Sequence, residues 1–162
     1  SQWIAGQFDP SLSWKDVAWV RSLWPGKLIV KGILDPEDAR LAVAAGADAI
    51  VVSNHGGRQL DGAPGAIEAL PRIAETVGAD AELWFDSGVR SGQDVLKALA
   101  LGARGVMIGK AFLYGLGAMG KPGVTRALEL IHAELDVSMA LTGTSDVRSV
   151  DRRVLWMPDA RP

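Results

Sequence analysis

Residues 46–59 read Gly46-Ala47-Asp48-Ala49-Ile50-Val51-Val52-Ser53-Asn54-His55-Gly56-Gly57-Arg58-Gln59. Glycine, alanine and aspartate suit a turn, the next four residues are an unbroken apolar run, and the remainder is a polar, glycine-rich loop. An apolar run without polar alternation suits a strand buried on both faces, as in parallel sheets. The pattern recurs. Gly78-Ala79-Asp80 leads into Leu83-Trp84-Phe85-Asp86, and Gly102-Ala103-Arg104 leads into Val106-Met107-Ile108-Gly109. A fourth run, Leu28-Ile29-Val30, ends at Lys31. Gly46, Gly78 and Gly102 each follow an Ala/Leu/Val-rich stretch, where a C′ glycine would close a helix.

Helix starts are marked as clearly as helix ends. Ser13 with Asp16, and Ser91 with Asp94, have capping-box spacing. Asp35-Pro36-Glu37-Asp38 combines an N-cap, a proline at the first helical position and acids in the first turn. Residues 121–142 predict a closing helix with Val124, Leu128, Ile131 and Leu135 on one stripe and His132 beside it, at the surface. The tail from Thr142 reads as loop, with a short helical piece near 145–155. Trp14, Trp19 and Trp24 are expected to pack between helices, and Asp48 and Asp80 to belong to the turns before strands.

The order is a helix followed by about four repeats of strand and helix, with the turn glycines 24 to 32 residues apart. Such alternation means a parallel sheet with right-handed crossovers. Two α/β architectures accept four βα units: a small doubly wound sheet, or half of an eight-fold barrel that normally takes about 250 residues. A doubly wound sheet binds its ligand at one switch point. Here every strand end carries polar residues, which favours the C-terminal half of a (β/α)8 barrel, with residues 1–162 as a single segment. On this reading four further strands lie outside the sequence.

Composition narrows the function. The chain has 162 residues, a formal charge of −2 and no cysteine, which removes disulfides, thiolate metal sites and thiol nucleophiles. A balance this close to neutral argues against non-specific nucleic-acid binding. No apolar run approaches the roughly 20 residues of a membrane span, and no signal peptide is recognisable in residues 1–12; the expectation is a cytoplasmic domain. No metal-binding motif is present, so no catalytic metal is expected.

The polar strand ends carry the candidate chemistry. His55 is suited to proton abstraction near neutral pH. Arg58 offers a planar fork for a carboxylate, and Gly56 and Gly57 let backbone approach a ligand closely. A histidine after a strand can equally be a cap or a solvent-facing residue, and the residues alone leave both readings open. Lys31 reads as an exposed lysine at a strand end or as a group that stabilises developing negative charge. Asp86-Ser87-Gly88-Val89-Arg90, with Gly109-Lys110, reads as a phosphate site of the kind found after the last two strands of a barrel, or as plain turns with solvated cations.

The run Ser53-Asn54-His55-Gly56-Gly57-Arg58-Gln59 resembles the FMN-dependent α-hydroxy acid dehydrogenase/oxidase family. The resemblance extends from about Phe8 to Leu155 and includes Lys31-Gly32, Asp61-Gly62 and Asp86 to Arg90. Within the family, Phe8-Asp9-Pro10-Ser11 and Asp86-Ser87-Gly88 are most similar to the membrane-associated bacterial L-lactate and (S)-mandelate dehydrogenase branch; glycolate oxidases more usually have glycine where this chain has Ser87.

The resemblance implies a (β/α)8 barrel that holds FMN at its C-terminal face and oxidises an (S)-2-hydroxy acid to the 2-oxo acid. His55 would be the active-site base and Arg58 the carboxylate clamp. Lys31 would stabilise negative charge on the reduced flavin, and Ser53 would contact its ring. Asp86, Ser87, Gly88, Arg90, Gly109 and Lys110 would hold the ribityl chain and phosphate. Implied partners are the N-terminal half of the barrel, a quinone or oxygen as electron acceptor, further copies of the chain in a homo-oligomer, and a peripheral membrane contact on the cytoplasmic face. The resemblance has two departures. Lys110 stands where the family usually has arginine, and the first four strands, with the aspartate that partners the histidine, are not in this sequence. The competing expectations are a non-catalytic half-barrel that binds flavin or phosphate, and an inactive fragment.

Overall fold

The computed structural model describes residues 9–156. Phe8, part of the resemblance at Phe8-Asp9-Pro10-Ser11, lies outside the described residues. The elements are α1 (Trp14–Leu23), β1 (Ile29–Ile33), α2 (Pro36–Ala44), β2 (Ala49–Val52), α3 (Ala66–Val77), β3 (Glu82–Phe85), α4 (Gly92–Ala100), β4 (Gly105–Val106), α5 (Lys110–Met119) and α6 (Lys121–Leu141). The four strands form one sheet in the order β1-β2-β3-β4, and every pairing is parallel. Strands adjacent both in sequence and in space, each joined to the next by a helix, are successive βα units of a partial barrel.

The caps form where the sequence marks them. The Asp16 carboxylate accepts from the Ser13 backbone N–H at 2.7 Å, and the Asp94 carboxylate accepts from the Ser91 N–H at 3.0 Å. Asp35 accepts from the Glu37 N–H at 2.8 Å, with Pro36 opening the helix. Gly46 and Gly102 follow their helices with φ of +93° and +110°, in the region that favours glycine. Gly78 differs. It is the C-cap itself, right-handed at φ −63°, and donates to the Ala74 carbonyl at 3.0 Å. Its need is space: an added Cβ would lie 2.5 Å from that carbonyl oxygen.

The core lies between the sheet and α2, α3 and α4. Ile50, Val52, Leu83 and Phe85 meet Ala39, Ala42, Leu70, Ile73 and Ala98, all buried. Alanines at Ala39, Ala42 and Ala98 let α2 and α4 lie close to the strands, while α3 contributes the large side chains Leu70 and Ile73 beside Ile50 and Val52 of the sheet. Only β2 is buried at every position. β1, β3 and β4 each leave positions partly or fully exposed, β3 although it pairs on both sides, so the expectation of strands buried on both faces holds for β2 alone.

Two strand boundaries also move. Lys31 is the third of five residues of β1 rather than its end, because the register slips between Lys31 and Ile33 and the chain re-pairs beyond Gly32 (φ +103°). This bulge keeps Lys31 on the sheet while turning Ile33 into the core. At the other edge the run Val106-Met107-Ile108 yields a strand of only two residues, Gly105–Val106, paired with β3.

Helix α6 closes the unit against α4 and α5 through glycines. A Cβ at Gly92 would lie 2.0 Å from the Leu135 nitrogen, and one at Gly123 would lie 1.9 Å from the Gly115 carbonyl oxygen. The tail is two short 3-10 turns, Val147–Ser149 and Arg152–Val154, and Arg152 pairs with Glu75 at 2.9 Å. Trp14 packs against the core, whereas Trp19 and Trp24 are 62% and 54% exposed rather than wedged between helices. The aromatic rings of α1 outnumber the helices within reach: α1 touches only α2 substantially. Asp48 does more than turn the chain. It binds Arg21 at 3.0 Å, Lys27 at 2.8 Å and the Leu28 N–H at 2.9 Å.

Candidate active site at the C-terminal ends of the strands

Parallel strands all deliver their C-terminal ends to one edge of the sheet. That edge opens on a cleft of about 1060 Å³ lined by Lys31, His55, Arg58, Asp86, Arg90 and Lys110 among others. Every candidate residue except Ser53 lines it, and Ser53 lies fully buried directly beneath.

A continuous set of hydrogen bonds ties the ends of β1, β2 and β3 together. The Lys31 ammonium donates to Ser53 Oγ at 2.9 Å and pairs with Asp86 Oδ2 at 2.9 Å. Ser53 Oγ accepts from the His55 backbone N–H at 3.1 Å. Ser87 Oγ donates to Asp86 Oδ1 at 2.8 Å and accepts from the N–H groups of Asn54 and Gly56 at 3.2 and 3.1 Å. Burial pushes the Asp86 carboxyl upward, but hydrogen bonds from Ser53, Lys31 and Ser87 and the adjacent ammonium charge outweigh it, so the group titrates below its ordinary 3.8. Asp86 is therefore a carboxylate and Lys31 its counter-ion.

The loop after β2 is a tight 3-10 turn, His55–Gly57. Its backbone is left-handed at His55, Gly56 and Gly57, with φ of 56°, 70° and 70°. Glycine takes that region freely; a histidine there is strained. The Asn54 side chain steadies the turn, accepting from the Gly57 N–H at 3.2 Å and donating to the Pro64 carbonyl at 3.2 Å. The imidazole lies against Gly32: a Cβ on that glycine would sit 2.8 Å from His55 Cε1. Gly32 thus serves twice, as the bulge of β1 and as the seat of the histidine ring.

On the far side of the cleft the loop after β3 presents Gly88 and Arg90, and the start of α5 presents Gly109 and Lys110. Neither Gly88 nor Gly109 has an atom within 4 Å of where a Cβ would be, so open space stands over both backbones. Lys110 reaches back to donate to the Gly56 carbonyl at 3.2 Å. Arg58, Arg90 and Lys110 have no carboxylate partner among the described ion pairs, although other surface cations of the chain do. A cleft with unpaired cations, open glycine backbone and an exposed imidazole can hold an anion and exchange a proton beside it. Among the described residues no group of three or more His, Cys, Asp or Glu side chains could hold a metal ion.

Sequence reasoning missed several residues that build this site. Asn54, Gly32 and the wall residues Met107, Tyr114 and Glu134 were not singled out. Lys31-Gly32 at the end of an apolar run carries a weak signal for a bulge; nothing local marks the wall residues, which arrive from distant segments.

The family model described as FMN-dependent dehydrogenase matches residues 1–157. The chain is 55% identical over 157 residues to an L-lactate dehydrogenase of Caulobacter sp. (strain K31), covering 97% of this chain and 41% of that protein. An (S)-mandelate dehydrogenase whose structure is described as that of a monotopic membrane protein superposes with a TM-score of 0.90 at 44% identity, over 96% of this chain and 41% of the other. A mandelate oxidase variant solved with a monooxide FMN adduct superposes with a TM-score of 0.84 at 47% identity, over 90% of this chain and 46% of the other. The chain thus spans about two fifths of the length of the curated relatives it matches. On the family match, the sequence identity and the shared arrangement of its four βα units, this chain belongs to the FMN-dependent dehydrogenase family.

Proposed function

We propose that this chain supplies the C-terminal half of a barrel that binds FMN and oxidises an (S)-2-hydroxy acid of the L-lactate or mandelate type to its 2-oxo acid. The observation that carries the proposal is the convergence of Lys31, His55, Arg58, Arg90 and Lys110 on one cleft at the C-terminal edge of the sheet. The donor set fits FMN. Arg90 and Lys110 supply charge for a phosphate, the open backbone at Gly88 and Gly109 leaves room for it, and Asp86 suits ribityl hydroxyls. Ser87 stands in the same loop, and Ser53 lies under the floor on which a flavin ring would rest. Lysine at position 110 lacks the bidentate fork of an arginine, so its grip on phosphate is that of a point charge.

FMN, when bound, would supply the acceptor for the two electrons and for one of the two protons that leave the substrate. The chain's own residues do the rest. Arg58 binds the substrate carboxylate and orients the α-carbon. His55, neutral at the outset, takes a proton from the substrate as the 2-hydroxy acid loses two electrons and two protons. Lys31, held between Ser53 and Asp86, keeps a positive charge at the floor of the cleft. A quinone or oxygen as the final acceptor, further copies of the chain and a membrane surface remain partners of this proposal.

The test is anaerobic mixing of the yellow full-length enzyme with L-lactate or (S)-mandelate, followed at the visible flavin bands. Bleaching is expected, and His55→Ala should slow it at least about a hundredfold while FMN stays bound. A yellow protein that no 2-hydroxy acid bleaches would be a flavin-binding barrel without this reaction, and a colourless one would be an inactive relative.

A further inference from the structure

We infer that Ser87 is the positioning residue for His55: its hydroxyl clamps the backbone on both sides of the histidine and so sets where the imidazole stands. The inference rests on the functional reading above.

The backbone at Ser87 has φ +82°, a conformation that only glycine takes without strain. Were conformation the only demand, glycine would serve better. The hydroxyl is what glycine lacks, and it is fully committed. It donates to Asp86 Oδ1 at 2.8 Å and accepts from the N–H groups of Asn54 and Gly56 at 3.2 and 3.1 Å. Those two amides flank His55, whose own N–H is bound by Ser53 Oγ at 3.1 Å. Three consecutive amides of a left-handed turn are therefore held by two serine hydroxyls. Both hydroxyls are anchored in turn, Ser53 to the Lys31 ammonium at 2.9 Å and Ser87 to the carboxylate that pairs with that same ammonium. The strained φ of His55 (56°) needs such over-determination to persist. With its hydroxyl used in this way, Ser87 acts through the histidine rather than on the cofactor.

The test is Ser87→Gly and Ser87→Ala in the full-length holoenzyme. Glycine relieves backbone strain while removing the clamp, so Ser87→Gly should fold with an unchanged or higher Tm and keep its FMN affinity within about threefold. The rate of flavin reduction should fall about tenfold to a hundredfold, with KM little changed and the acidic limb of the pH profile displaced. Hydrogen exchange at the Asn54 and Gly56 amides should quicken, a readout independent of any substrate. Loss of rate in proportion to loss of FMN would overturn the inference in favour of a cofactor contact, and so would a wild-type rate and pH profile in Ser87→Gly. If the wild-type holoenzyme reduces its flavin with no 2-hydroxy acid, the functional reading falls, and with it the catalytic part of this inference; unchanged amide exchange with a wild type that does turn over overturns the clamp alone.

Discussion

Arg58 sits three residues beyond His55, past two left-handed glycines, on an exposed turn whose backbone is steadied by Asn54. Its value to a carboxylate is the planar fork, which a lysine of equal charge does not reproduce. Arg58→Lys is accordingly expected to raise KM for the 2-hydroxy acid about tenfold while changing kcat less, because the interaction is made in both ground and transition states. Steady-state kinetics with L-lactate check this. An equal fall in kcat with KM unmoved would mean that Arg58 acts only in the transition state. At this same scale the sequence marks the residues that the structure brings to one cleft. His55, Arg58, Lys31 and Asp86 are legible because their residue types follow apolar runs. Ser87 is legible as part of a cofactor-binding run, but its hydrogen bonds to the Asn54 and Gly56 amides are not, because those amides come from another strand end.

Asp48 shows how a turn joins elements. It precedes β2 yet holds Arg21 of α1, Lys27 and the N–H of Leu28, just ahead of β1. The hydrogen bond from Lys27 and that from the Leu28 amide, with the Lys27 charge and a hydrogen bond from Arg21, lower its carboxyl from 3.8 to about 2 against the opposing effect of burial. The sign follows from the lowered value: the folded state binds this proton less readily than the unfolded chain. The contribution is whole above 3.8 and disappears as pH falls from there through about 2. Urea midpoints measured as a function of pH should therefore show Asp48→Asn less stable than wild type near neutrality and converging with it near pH 2. A constant gap at all pH values would assign the effect to packing. The capping pattern told the helix starts from sequence, but this three-way tie joins segments 20 to 27 residues apart and has no local signature.

At the scale of the whole chain, the described residues form a sheet with two open edges. β1 and β4 pair on one side only among the described residues, and Ile29 and Met107 near those edges are exposed, as are Trp19 and Leu23 on α1 and Tyr114 and Met119 on α5. Unpaired strands and apolar surface of this kind invite association. No described helix is long and apolar enough to cross a membrane. Residues 1–162 expressed by themselves are therefore expected to self-associate, to bind a hydrophobic dye and to leave L-lactate unoxidised. Co-expression with the preceding half of a related barrel should suppress the dye signal and restore a yellow colour. Sedimentation, dye fluorescence and the visible spectrum report each outcome; a monomeric, dye-silent species oxidising L-lactate would show that four units suffice.

Local physics explains which properties were determined by the sequence itself. Caps, turn glycines and unalternated apolar runs act over a few residues, so the loop bearing His55 and Arg58 could be read from Gly46 to Gln59, and the βα alternation and parallel sheet from the recurrence of that pattern along the chain. Tertiary structure decided what depends on a neighbour. It set the length of β4 and the place of Lys31 inside β1, which follows from the bulge at Gly32. It left Trp19 and Trp24 exposed, and it assembled the hydrogen bonds that close Lys31, Ser53, Asp86 and Ser87 around His55. A hydrogen bond between strand ends tens of residues apart depends on register and distance, and neither exists until the sheet has formed.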